Sequence, residues 1–141
     1  MRGLSVVALA RVLGEKADMA DHDNYHHNNI YAYLFPVCYV DLGGGEVNNR
    51  SHINHFENNT CIQAMDTASY AGVNCKSNET YLPVFGNNQV YNPSGKTGMC
   101  GFTLKQWQAQ GNDLGTQVHK GFPSDPAVIA MARTALGLKA M

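Results

Sequence analysis

Charge is scarce in this chain. Asp, Glu, Lys and Arg together make up 15% of its 141 residues, and the formal net charge is −1. Lys and Arg form no cluster, so the electrostatic footprint that nucleic-acid binding requires is missing. No apolar run approaches the roughly 18 residues of a membrane span. The four cysteines, Cys38, Cys61, Cys75 and Cys100, include no Cys-x-x-Cys pair, which argues against a zinc ribbon or a thioredoxin-type redox centre. A phosphate loop, a G-x-S-x-G elbow, a dinucleotide fingerprint and the H-E-x-x-H zinc motif are likewise missing. Tryptophan occurs once, as Trp107.

Polarity comes instead from 14 Asn and 14 Gly, residues that tolerate left-handed backbone and so imply many tight turns. An even number of cysteines in such a loop-rich chain points to disulfides, with three pairings open. Three glycosylation sequons, starting at Asn49, Asn58 and Asn78, add to the expectation of a secreted or cell-surface glycoprotein. At the amino end, Leu4 to Ala10 has the outline of a signal peptide. Its apolar core is short and Arg11 follows at once, so a buried strand or short helix is the preferred reading. On that reading the chain begins inside a longer repeat array.

One phrase recurs three times: His26-His27-Asn28-Asn29-Ile30-Tyr31, Phe56-Glu57-Asn58-Asn59-Thr60-Cys61 and Phe85-Gly86-Asn87-Asn88-Gln89-Val90. Its first Asn falls at 28, 58 and 87, giving intervals of 30 and 29 residues. A fixed period of this size marks stacked repeats. The expected fold is therefore all-β, a right-handed parallel β-helix (solenoid) with short C-terminal helices. Asn28, Asn58 and Asn87 would form a hydrogen-bonded ladder, and Tyr31, Cys61 and Val90 an inward column. An Asn58 buried in that ladder would escape glycosylation. Coils would occupy residues 1–101 and a helical cap residues 102–141. In the cap, Thr103 and Gln106 form a capping box before Leu104 to Gln110, and Ser124-Asp125-Pro126 opens a second helix that Gly137 ends.

The segment Phe102-Thr103-Leu104-Lys105-Gln106-Trp107-Gln108-Ala109-Gln110-Gly111-Asn112-Asp113 resembles the "sL-x-x-W-Q-x-x-G-x-D" stretch near the end of many proteins of the pectate-lyase-like superfamily. The resemblance implies the C-terminal part of a carbohydrate-active protein acting on a polysaccharide by lyase or hydrolase chemistry, in which Trp107 packs the terminal helix. A non-catalytic glycan-binding or structural module is the alternative.

Candidate chemistry concentrates in two places. Asp21, His22, Asp23, His26 and His27 stand close together, and His52 and His55 follow about one repeat later. Spacings of 30 (His22 to His52) and 29 (His26 to His55) would set these pairs on adjacent strands. Asp21, His22, His52 and His55 are the candidate catalytic groups, since imidazoles serve as bases near neutral pH and paired carboxylates as acid and base. Asp23, His27 and Arg50 are the candidate substrate contacts, with Arg50 the cationic partner of a uronate. Asp21 and Asp23, on one face of a strand, could hold calcium through oxygen ligands.

Overall fold

The structure is a computed structural model that describes residues 25–41, 54–73, 75 and 82–138. Eleven short strands and two helices follow in the order β1 (Tyr25–His27), β2 (Ile30–Leu34), β3 (Tyr39–Asp41), β4 (His55–Glu57), β5 (Thr60–Gln63), β6 (Ala71–Val73), β7 (Val84–Gly86), β8 (Gln89–Asn92), β9 (Gly98–Met99), β10 (Phe102–Thr103), α1 (Leu104–Ala109), β11 (Gln117–Lys120) and α2 (Asp125–Ala135).

The phrase sets the strand pairing. Strands β1, β4 and β7 lie parallel in one sheet, and β2, β5, β8 and β11 in a second. Tyr31 is the partner of Cys61, Cys61 of Val90, and Val90 of Val118. Two further pairs complete the set, the parallel β3–β6 and the antiparallel β9–β10.

These sheets do not make the all-β solenoid expected from the period. The described residues form a mixed architecture of four small separate sheets and two helices, and no closed solenoid. A period of 29 or 30 residues fixes which strands pair but not that the sides join into a continuous wall. Among the described residues the β3–β6 side stops at two strands, and the chain continues into the antiparallel β9–β10 pair and α1.

The ladder is also displaced by one residue. Asn28, Asn58 and Asn87 adopt left-handed φ of 57°, 55° and 55° and are exposed. The second Asn of each pair turns inward. The Asn29 N–H donates to Asn59 Oδ1, the Asn59 N–H to Asn88 Oδ1 and the Asn88 N–H to Thr116 Oγ1, each at 2.9 Å. Asn59 and Asn88 also donate through Nδ2 to the carbonyls of His26 and Phe56. Both amides are buried and doubly engaged, which is how a buried polar group avoids its desolvation cost.

Thr116 belongs to a fourth, diverged copy. In Asp113-Leu114-Gly115-Thr116-Gln117-Val118, Leu114 bridges Gly86, and Gly115 (φ 77°) takes the turn position that Asn87 fills one repeat earlier. Asp113 then occupies the slot of the rings Phe56 and Phe85. It is 2% exposed and accepts from the Tyr70 hydroxyl (2.7 Å) and the Thr116 hydroxyl (2.5 Å). Burial raises its carboxyl from the ordinary 3.8 to about 6, against the two hydroxyls, which favour the anion. Burial, with the neighbouring carboxylate, raises the Tyr70 phenol well above its ordinary range.

Rings fill the interior. Tyr39 packs on Phe56 at 4.9 Å, and Tyr39 and Tyr70 meet Phe85 edge-on at 5.7 and 5.9 Å, a geometry that rings favour. The cysteines are joined as Cys38–Cys61 and Cys75–Cys100. Loops of this size are stabilised by about 3 kcal/mol each through loss of unfolded-chain entropy.

After Cys100 the helices appear where capping residues announce them. Thr103 and Gln106 make the reciprocal capping box of α1, and Ser124 caps α2. Trp107 is buried in the main core and stacks on Phe102. Helix α2 sets Val128 against Ala32 and Ile62 and so covers part of the outer face of the larger sheet. Among the described residues no helix is long and apolar enough to cross a membrane.

Candidate functional site on the outer face of the first sheet

Alternation along a strand sends neighbouring side chains to opposite faces. In the β1–β4–β7 sheet, His26, Phe56 and Phe85 are register partners on the core side. The outer face therefore carries Tyr25, His55 and Val84 in one row and His27, Glu57 and Gly86 in the next.

This register corrects the expected pairing of His26 with His55. Asn28 and Asn58 are 30 residues apart, so the partner of His55 is Tyr25 and the partner of His26 is Phe56. The Tyr25 and His55 rings stack at 4.3 Å, only 12° from parallel. His55 Nδ1 lies 3.1 Å from Glu57 Oε2. Held by that carboxylate, the imidazole keeps its proton on Nδ1 when neutral, and Nε2 becomes the basic nitrogen. Gly86 ends the row in a buried position, where a Cβ would meet the Leu114 carbonyl at 3.3 Å and Glu57 Oε1 at 3.5 Å. His27 Nδ1 stands 3.1 Å from Asn28 Nδ2. Tyr25 is 63% exposed, so most of an amphipathic ring is offered to solvent.

Two of the residues singled out by sequence, His27 and His55, are thus brought to one face. Asp21, His22, Asp23, Arg50 and His52 lie outside the described residues, as do the proposed calcium pair and the sequons at Asn49 and Asn78. Among the described residues no group of three His, Cys, Asp or Glu side chains is placed to hold a metal. Tyr25 and Glu57 were not singled out by sequence reasoning. Counting three residues back from each left-handed Asn pairs Tyr25 with His55, and counting one back pairs His27 with Glu57.

The arrangement can stack against an apolar ring face through Tyr25, accept or donate hydrogen bonds through the imidazoles, and take a proton at His55 Nε2. Comparison with protein-family models, with curated proteins and with solved structures gives no match.

Proposed function

We propose that this chain is an extracellular carbohydrate-active protein that holds a polysaccharide along the outer face of β1, β4 and β7. The observation that carries the proposal is the Tyr25–His55–Glu57 arrangement: an exposed aromatic ring stacked on an imidazole that a carboxylate orients. A sugar ring presents apolar C–H faces to an aromatic and hydroxyls to imidazole and carboxylate. Extracellular placement is supported by the two disulfides, which persist in oxidising compartments.

A lyase needs a base beside the acidic carbon of a uronate, and His55 Nε2 has the chemistry of that base. Hydrolysis calls for two carboxyl groups flanking the bond, and Glu57 supplies one. The binding function needs neither step.

The test is affinity electrophoresis through gels containing polygalacturonate, alginate or xylan, with unsaturated-product and reducing-end assays on the same polymers. Wild-type protein is expected to be retarded by at least one of them. Tyr25→Ala is expected to weaken that binding about tenfold, the worth of one ring contact of about 1.4 kcal/mol. If the proton-abstraction chemistry operates, His55→Ala abolishes turnover while retardation persists. Retardation by none of the polymers, or equal retardation of wild type and both variants, would refute the proposal.

A further inference from the structure

The two sheets meet at the turns that follow β1 and β4, and α2 passes beside those turns. Between them lies an open cleft of about 410 Å³. One wall is formed by Asn28, Asn58 and Thr60, the other by Ala130, Thr134 and Ala135 of α2. We propose that this cleft is a second glycan subsite, and that it takes a neutral saccharide. The inference rests on the glycan reading above and adds a location and a ligand class to it.

The left-handed turns shape the polar wall. Because Asn28 and Asn58 take positive φ, their side chains leave the ladder, and both stand exposed at the cleft. They follow neighbouring parallel strands, whose backbones run about 5 Å apart. The Asn58 amide offers two donors and an acceptor, and the Asn28 amide, which gives one N–H to His27, a donor and an acceptor, the pattern that matches adjacent sugar hydroxyls. The opposite wall, Ala130, Met131, Thr134 and Ala135, is apolar, since Thr134 commits its hydroxyl to the Ala130 carbonyl at 3.0 Å. A ligand here meets amides on one side and methyl groups on the other, which suits a pyranose with hydroxyls on its rim and C–H bonds on its face.

Charge decides the class. None of the residues lining the cleft is ionisable as a cation or an anion. A uronate would give up hydration without gaining a counter-charge, a cost that a neutral sugar escapes. The imidazoles and Glu57 lie around the corner on the first face, joined to the cleft by the contact of His27 with Asn28.

The experiment titrates the secreted protein with cellohexaose, mannohexaose and xylohexaose, and separately with hexagalacturonate. Two variants probe the cleft. Ala130→Trp fills it from an exposed helical position. Asn58→Gly removes an amide while keeping a residue at home at positive φ. At least one neutral hexasaccharide is expected to bind, and each variant to weaken it fivefold or more. Hexagalacturonate binding and circular dichroism should stay at wild-type values. Failure of all three neutral sugars to bind, or neutral binding unchanged in both variants, would overturn the subsite even where hexagalacturonate binding upholds the first face. A glycan found by mass spectrometry on Asn58 of the secreted protein would also overturn it, because the attached sugar would occupy the cleft.

Discussion

Replacing Asn88 with alanine is expected to destabilise the protein by about 3–5 kcal/mol, whereas Asn87→Gly, one position earlier, should change stability by less than about 0.5 kcal/mol. The two residues are adjacent and identical in type, but their surroundings differ completely. Asn88 is fully buried and makes five hydrogen bonds, one of them from the Gln117 N–H to its carbonyl. Its Oδ1 accepts from the Asn59 N–H, its Nδ2 donates to the Phe56 carbonyl and to the Tyr70 hydroxyl, and its own N–H reaches Thr116. Truncation removes the three side-chain bonds and leaves a buried N–H and a buried carbonyl without those partners, each costing about 1–3 kcal/mol. Asn87 is exposed at φ 55°, a conformation glycine adopts without strain. Urea denaturation checks this: the midpoint should fall sharply for Asn88→Ala at an unchanged slope and hold for Asn87→Gly. Asn88→Asp, nearly isosteric, should also be strongly destabilised, because it loses the donor and sets a second carboxylate near Asp113.

Stability is further expected to rise as the pH falls from about 7 to about 4. Asp113 is the cause. Its carboxyl titrates at about 6 in the folded protein and at the ordinary 3.8 when exposed. The folded state therefore holds the proton more tightly than the unfolded chain. The resulting stabilisation is present in full below about pH 4 and lost as the pH rises through about 6. A shift of this size corresponds to about 3 kcal/mol. Asp113→Asn removes the titration, so the difference in unfolding free energy between pH 4 and pH 7 should shrink by about that amount relative to wild type. Tyr70→Phe acts in the opposite sense on the transition. It deletes a hydroxyl that stabilises the anion, so the loss of stability should begin at the same pH but extend to higher pH than in wild type. Thermal melts of the three proteins across this pH range check both statements.

Part of this structure was legible in the sequence. The recurrence of the Asn pair gave the parallel pairing of β1 with β4 and β4 with β7, and the capping residues gave both helices. The pair itself was ambiguous. Either Asn can take the left-handed turn, and only packing decides that the first one does, which sends the second inward. The fourth copy escaped notice because each role passes to a different residue: Gly115 makes the turn, Thr116 carries the ladder and Asp113 takes the place of a ring. The closed solenoid was an extrapolation from strand pairing to overall shape. Pairing depends on local side-chain stacking, whereas closure depends on every side being continuous, and among the described residues the β3–β6 side is not.

The candidate site was legible in half of its described members. His27 and His55 are conspicuous because five of the six imidazoles of the chain lie between residues 22 and 55. Tyr25 and Glu57 look like ordinary exposed strand residues until the 30-residue register sets Tyr25 against His55 and His27 against Glu57. The cleft beside α2 left no sequence signal, because it depends on where a helix distant in the chain comes to rest.

The glycan face itself is tested most directly by nuclear magnetic resonance of isotope-labelled protein titrated with the oligosaccharide of whichever polymer retards it. The amides of Tyr25, His27, His55 and Glu57 are expected to shift together with the His55 Nε2 resonance, all saturating with one dissociation constant. Shifts confined to β3 and β6, on another side of the molecule, with Tyr25 and His55 unmoved, would contradict it.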